Sequence, residues 1–335
     1  MSIPAARING KAPSPPLLHP IEAELQRVEE VLRIELSSAV RTVFDVSKHI
    51  LEAGGKRLRP SLVVLSARAV RGNYDADRVV NVAASIELVH MATLMHDDVI
   101  DDADSRRGRM TANSFWGNEI SVLAGDYMLA KAFSLLARDG DMRTMQALSR
   151  ATIAMTEGEI RQIECRGDTR ALMAYYLSII RGKTAEFMSA CCRMGSVLAA
   201  GSPPAEEALV GYGLNLGLAF QITDDLLDLV GDPALTGKPI GGDIREGKVT
   251  MPIILALEKA DGADRAALEN VIRGATAADI DFVRRLVEET GAVEGTREVA
   301  ARYISRAIEE LQILPPSEAR DCLEDLAQYI LHRKC

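Results

Sequence analysis

LMHDDVIDDADSRRG, Leu94–Gly108, is the stretch on which the reading of this chain turns. Apolar residues lead into it at helical spacing, and then acidic ones crowd together: Asp97, Asp98, Asp101 and Asp102, with Arg106 and Arg107 close behind. Asp97, Asp98 and Asp101 make a D-D-x-x-D pattern. On a helix Asp97 and Asp101 stack about 6 Å apart along the axis. Stacked like charges destabilise a bare helix. Hard divalent cations reverse that cost, and Mg²⁺ takes one or two carboxylates together with phosphate oxygens. His90 lies two turns earlier on the same face. Two other readings compete. One is an acidic helix end with solvated charges. The other is a calcium loop, which Asp102 and Asp104 begin and Arg106 breaks.

A second motif repeats the spacing. In FQITDDLLDLV, Phe220–Val230, Asp224, Asp225 and Asp228 follow Gln221 on one helical face. Both motifs end a mostly apolar helix. Two such helices facing each other are expected to set six carboxylates around one cavity mouth. Unit charges 4 Å apart repel by roughly 4 kcal/mol even at an effective dielectric of about 20, so bound cations are expected between them.

Clustered cations occur elsewhere. GGKRLRP gives Lys56, Arg57 and Arg59, and RGKTAEF gives Arg181, Lys183 and Thr184. Each alone reads as a solvated basic turn or helix face. GDPALTGKPIGGDIREGKVTMP, Gly231–Pro252, holds five glycines, three prolines, Lys238, Arg245 and Lys248. It cannot be one continuous helix and reads as a closing loop, with a solvated linker as the alternative.

Composition bounds the rest. The 335 residues are 47% hydrophobic and 4% aromatic, so a large aliphatic core is available, which suits helices. Net charge −9 argues against a nucleic-acid binder. The five cysteines include no C-x-x-C pair and read as reduced, intracellular thiols. No secretory signal is evident, and residues 1–19 read as a flexible Pro-rich arm. The most apolar stretch, Ala208–Ile222, contains Asn215 and Gln221 and is too short to span a bilayer. Helical periodicity runs from about Pro20, divided by turn signals such as Arg138-Asp139-Gly140 and Gly201-Ser202-Pro203-Pro204. The expected fold is all-α, one large helical domain over 20–335.

Taken in order, GGKRLRP, ELVHMATLMHDDVIDDADSRRG, GKTAEF, FQITDDLLD and GKPIGGDIREGKVTMP resemble the trans-type polyprenyl diphosphate synthases over roughly Pro20 to the last residue. The resemblance implies the isoprenoid synthase bundle with a central apolar tunnel, in a homodimer. It implies Mg²⁺, two or three ions, held by Asp97, Asp101 and Asp224, with Asp98, Asp225 and Asp228 beside them. Lys56, Arg59, His90 and Arg107 are then the isopentenyl diphosphate site. Arg106, Lys183, Thr184, Gln221, Lys238 and Lys248 are the allylic diphosphate contacts. The implied reaction condenses isopentenyl diphosphate onto an allylic diphosphate such as farnesyl diphosphate, in the cytoplasm.

Product length follows from what precedes Asp97. Ala92, Thr93 and, one heptad behind Ala92, Ser85 are small, and no aromatic residue occurs between Tyr74 and Phe115. That resembles the long-chain members, heptaprenyl to decaprenyl, which make quinone side chains; Phe133 or deeper methionines are candidates for the final stop. A short-chain synthase is the alternative. A terpene cyclase would carry a different second metal motif and more aromatics. A non-catalytic relative would lose one acidic motif, whereas a subunit of a heteromeric enzyme need not.

Overall fold

The computed structural model describes residues 16–70, 74–106, 108–231, 240–274 and 279–333. The fold is all-α, as expected. Among the described residues the one departure is a two-residue antiparallel hairpin, β1 (Ser105–Arg106) on β2 (Arg109–Met110), which no strand pattern announced. Residues 16–19, read from the sequence as part of a flexible arm, belong instead to a 3₁₀ turn, Pro16–Ile21, with Leu18 and Ile21 buried, because these apolar residues have a core to join; the rest of that stretch lies outside the described residues. The Pro20 carbonyl accepts from Arg68 Nη1 at 2.7 Å.

The chain groups into two compact units, each assembled from separated stretches, so no linker in the sequence marks the division. The first comprises Met1–Leu148, Cys191–Glu207 and Leu314–Leu323; the second comprises Ser149–Ala190, Ala208–Ile313 and Glu324–Cys335.

The first unit contains α1 (Glu22–Glu35), α2 (Arg41–Glu52), α3 (Leu58–Val70), α4 (Ala76–Ile100) and α5 (Ala112–Asp139). Helix α4 is its axis and packs on α1, α3 and α5. From Val79 to Met95 it is buried nearly all round, as its apolar run requires. Asp75 caps its start, accepting from the N–H groups of Asp77 and Arg78 at 3.0 and 3.2 Å. Gly140, in the left-handed region at φ 76°, ends α5 where the turn signal placed the boundary.

The second unit draws on α6 (Met142–Glu164), α7 (Thr169–Ile180), a π-helical turn (Arg181–Ala185), α8 (Glu186–Leu198) and α9 (Pro203–Val230). It continues through α10 (Gly242–Arg245), α11 (Met251–Lys259), α12 (Gly262–Gly274), α13 (Asp279–Glu289), α14 (Ala292–Glu310) and α15 (Glu318–His332). Its core includes Leu172, Ile179, Ile222, Leu229, Ile253 and Leu257. On α9, a Cβ at Gly217 would lie 2.5 Å from Ala185 Cα, and one at Gly213 would lie 2.7 Å from the Met188 carbonyl oxygen. Backbone meets backbone there, and only glycine fits.

Among the described residues, two helices are long and apolar enough to cross a membrane by length and composition, α4 and α5, rather than the Ala208–Ile222 stretch. The qualifying window of α4 is 72% buried, as in a core helix; that of α5 is 39% buried. Cys165, Cys191, Cys192 and Cys322 are buried thiols that are not joined in disulfides.

Candidate active site

In the first unit the acidic motif closes α4. Asp97 and Asp98 lie in the last turn, and Asp101 caps it, its N–H bonded to the Asp97 carbonyl at 2.8 Å. Asp97 and Asp101 are half-buried, whereas Asp98 is only 1% exposed. Arg106 Nε donates to Asp98 Oδ1 at 2.6 Å. Arg106 is therefore first of all the counter-ion of a buried aspartate, which the D-D-x-x-D spacing did not foretell. The hairpin that carries it is tied down from α5: Thr111 Oγ1 donates to the Ala103 carbonyl at 2.6 Å, and Ser114 Oγ to that of Asp104 at 3.2 Å. Arg107 lies outside the described residues.

The three cations of GGKRLRP separate by task. Arg57, itself in the left-handed region at φ 49°, reaches Glu29 on α1 and Glu87 on α4 at 2.5 Å each and so holds the unit together. Arg59 Nη1 stands 3.3 Å from His90 Nε2, which joins two residues predicted for one site. Lys56 is exposed in the loop before α3. Behind Asp97, Ser85 and Ala92 are fully buried, with Ser85 Oγ bonded to the Val82 carbonyl at 2.7 Å. Thr93 is half-buried and donates to the His90 carbonyl at 2.9 Å. Phe133 is half-buried rather than part of the core; the methionines buried in this unit include Met91, Met95 and Met128.

In the second unit the motif closes α9 with the same burial pattern. Asp224 and Asp228 are half-buried and Asp225 is 4% exposed. Both Asp225 oxygens accept hydrogen bonds, Oδ2 from the Tyr176 hydroxyl at 2.6 Å and Oδ1 from Gln221 Nε2 at 2.9 Å. Gln221 Oε1 in turn accepts from Thr184 Oγ1 at 2.9 Å. Burial pushes the Asp225 carboxyl up to about 6; the donors Tyr176 and Gln221 oppose the shift, and the charges of Asp224 and Asp228 add to it. Asp228 accepts from the N–H groups of Gly242 and Asp243 at 3.2 Å each, which anchors α10 of the glycine-rich segment. Asp243 is pushed up to about 8 by burial and then by Asp228 and Asp225, with Lys248 opposing. Lys248 pairs with Glu246 and lies 3.9 Å from Asp243. The glycine-rich segment is not one helix, as its composition required; Lys238 lies outside the described residues.

Two further contacts shape this end. Lys183, on the π-helical turn, is held by Glu159 and Gln162 of α6. Arg333 pairs with Asp224 at 2.6 Å, donates to the Phe220 carbonyl at 2.8 Å and stacks 4.2 Å above the Phe220 ring. Sequence reasoning missed Tyr176, Asp243 and Arg333. The first and last lie 49 and 109 residues from their aspartate partners, beyond any local spacing rule; Asp243 had a signal, standing inside the segment already singled out.

Among the described residues no group of three or more His, Cys, Asp or Glu side chains could hold a metal ion alone. The donors are hard carboxylate oxygens in partly exposed pairs. That set suits Mg²⁺, which completes its shell with phosphate oxygens and water.

A family model described as polyprenyl synthetase matches residues 40–290. The chain belongs to the polyprenyl synthetase family. It is accordingly a prenyltransferase with the isoprenoid synthase fold. It is 40% identical over 308 residues to heptaprenyl diphosphate synthase component 2 of Geobacillus stearothermophilus, covering 92% of this chain and 95% of that one. Among solved structures it resembles a polyprenyl synthase of Caulobacter crescentus complexed with calcium and isoprenyl diphosphate, with TM-score 0.91, 38% identity and coverage of 95% and 97%. A decaprenyl diphosphate synthase of Rhodobacter capsulatus gives TM-score 0.89, 39% identity and coverage of 96% and 100%. The family's dependence on a divalent metal accords with the carboxylate pairs of this polyprenyl synthetase.

Proposed function

We propose that the chain is a long-chain trans-polyprenyl diphosphate synthase of the cytoplasm, making a heptaprenyl to decaprenyl precursor of a quinone side chain. The observation that carries the reading is the shared pattern of the two motifs, each with half-buried outer aspartates around a buried, hydrogen-bonded middle one. Asp97, Asp101 and Asp224 would hold two or three Mg²⁺ ions, whose charge offsets that of the departing diphosphate.

Around them the chain's own residues bind and orient. Lys56, Arg59 and His90 receive isopentenyl diphosphate; Arg106, Lys183, Thr184, Gln221 and Lys248 receive the allylic diphosphate. Arg107 and Lys238 join these sets on the family resemblance alone. Preorganised cations favour the transition state, where the leaving group's charge grows. The allylic C1–O bond breaks and diphosphate leaves with the electron pair. The isopentenyl double bond then attacks C1, and loss of a proton restores an alkene one isoprene unit longer. The grown chain is proposed to run along the buried small residues Ala92 and Ser85 of α4, a helix that carries no Phe, Tyr or Trp.

The test is incubation with Mg²⁺, farnesyl diphosphate and excess isopentenyl diphosphate, read by mass spectrometry. One long polyprenyl diphosphate, lost with EDTA, is expected; a product of three or four units would overturn the long-chain reading. A homodimer belongs to the same proposal, supported by exposed Phe115, Val122 and Leu123 on α5, which a second copy would cover. Sedimentation tests it: Leu123→Glu should shift the chain toward monomer. A heteromeric enzyme is the second reading, favoured by the relative named component 2. Long product from the purified chain alone would remove it.

A further inference from the structure

Tyr176 is the largest group the reaction scheme leaves unused next to an aspartate motif. Its side chain is buried in the core cluster that also holds Ile179, Ile222 and Met251, an apolar setting that a phenol enters only with its O–H satisfied. The hydroxyl donates its hydrogen to Asp225 Oδ2 at 2.6 Å. The direction of donation is thereby settled, and it propagates. An Asp225 carboxylate only accepts, so the Gln221 amide must turn its NH₂ toward it. Gln221 then presents its oxygen to Thr184, whose hydroxyl proton is committed to it at 2.9 Å. Tyr176, Asp225, Gln221 and Thr184 form one network of four groups whose donation converges on Asp225, from Tyr176 on α7 at one end and from Thr184 on the π-helical turn, by way of Gln221, at the other.

We propose that Tyr176 is a positioning residue: through Asp225 it holds the second aspartate motif and the Gln221–Thr184 pair in the geometry that binds metal and diphosphate. The inference rests on the reading that Asp224 holds a metal. Tyr176 touches neither substrate nor metal. It acts as outer hydrogen-bond partners of metal ligands do, where removal typically costs about 10- to 100-fold in metal affinity or activity.

The experiment uses the full chain as wild type, Tyr176→Phe, Asp225→Asn, the double variant and Asp224→Asn. Two quantities are read: the Mg²⁺ concentration for half-maximal turnover, and the rise in melting temperature that Mg²⁺ with inorganic diphosphate produces without turnover. Tyr176→Phe removes one oxygen atom, and is expected to raise the half-saturating Mg²⁺ about tenfold and to shrink the melting shift. In the double variant the penalty should match that of Asp225→Asn alone, because Tyr176 acts only through Asp225. A packing role alone would lower the melting temperature equally with and without Mg²⁺ and would leave the half-saturating concentration where it was; that result overturns the proposal. So do penalties that multiply in the double variant. If Tyr176→Phe fails to fold, the double variant must fold, since it removes the charge left without its donor; failure of both overturns the proposal. A wild-type melting shift lost in Asp224→Asn and kept in Tyr176→Phe overturns the proposal alone. A wild type with no Mg²⁺-dependent shift overturns the metal reading beneath it.

Discussion

The two aspartate motifs share a spacing and a burial pattern but settle their buried middle carboxylate by different means. Asp98 meets a full charge, Arg106, eight residues on and delivered by a hairpin. Asp225 meets two neutral donors, Tyr176 and Gln221, and its carboxyl rises to about 6 as burial prevails over them. In the second unit the guanidinium sits instead on an outer aspartate, Arg333 on Asp224. Identical spacing of the aspartates thus coexists with different partners for the buried middle carboxylate. The spacing is the one the proposed metal site requires, and the compensation answers to whatever each unit can bring near.

Substitution can break or sharpen this comparison. The largest effect is expected at the outer positions, where the motifs should behave alike. Asp97→Ala and Asp224→Ala should each lower turnover by at least about a hundredfold, with unchanged helical circular dichroism; near wild-type rates in either would end the equivalence. The middle positions should differ. Arg106→Ala leaves Asp98 charged and buried, at a cost of about 3 kcal/mol, read from the denaturation midpoint. Adding Asp98→Asn should restore most of it, whereas Asp225→Asn alone should cost about 1 kcal/mol. Next come the small residues behind each motif. Gly217→Ala should cost about 1–3 kcal/mol by forcing α9 off Ala185, seen as a lower melting temperature. Ala92→Phe, on the corresponding stretch of α4, adds a ring at a fully buried position and should shorten the product in mass spectra; an unchanged product distribution would place the proposed tunnel floor elsewhere.

Much of this was legible in the sequence, for local reasons. Apolar spacing marked α4 and α9, and Gly140 and Pro203 marked boundaries, because caps and turns are written within a few residues. The aspartates were legible because their spacing is itself helical. The compensating groups were not. Arg57 looked like one of three equivalent cations until its partners, 28 and 30 residues away, were visible. Tyr176 sits in an apolar helix where an aromatic reads as core. The β1–β2 hairpin exists to carry Arg106 back to Asp98 and has no alternating pattern to betray it. Charges recruited over long range leave no period.

The π-helical turn at Arg181–Ala185 has a consequence for rotation along the α7–α8 segment. Its widened bond, from the Glu186 N–H to the Arg181 carbonyl, spans five residues in place of four. In an unbroken α-helix, Thr184 would stand about 80° around the axis from Tyr176, eight residues earlier. A wider turn advances each residue by less than the usual angle and takes that offset back. Both side chains then reach the same neighbour, α9, one at Asp225 and the other at Gln221. The turn works as an angular correction, equivalent to one inserted residue, and deleting Gly182 would rotate Tyr176 and Thr184 out of phase while leaving both side chains in the sequence.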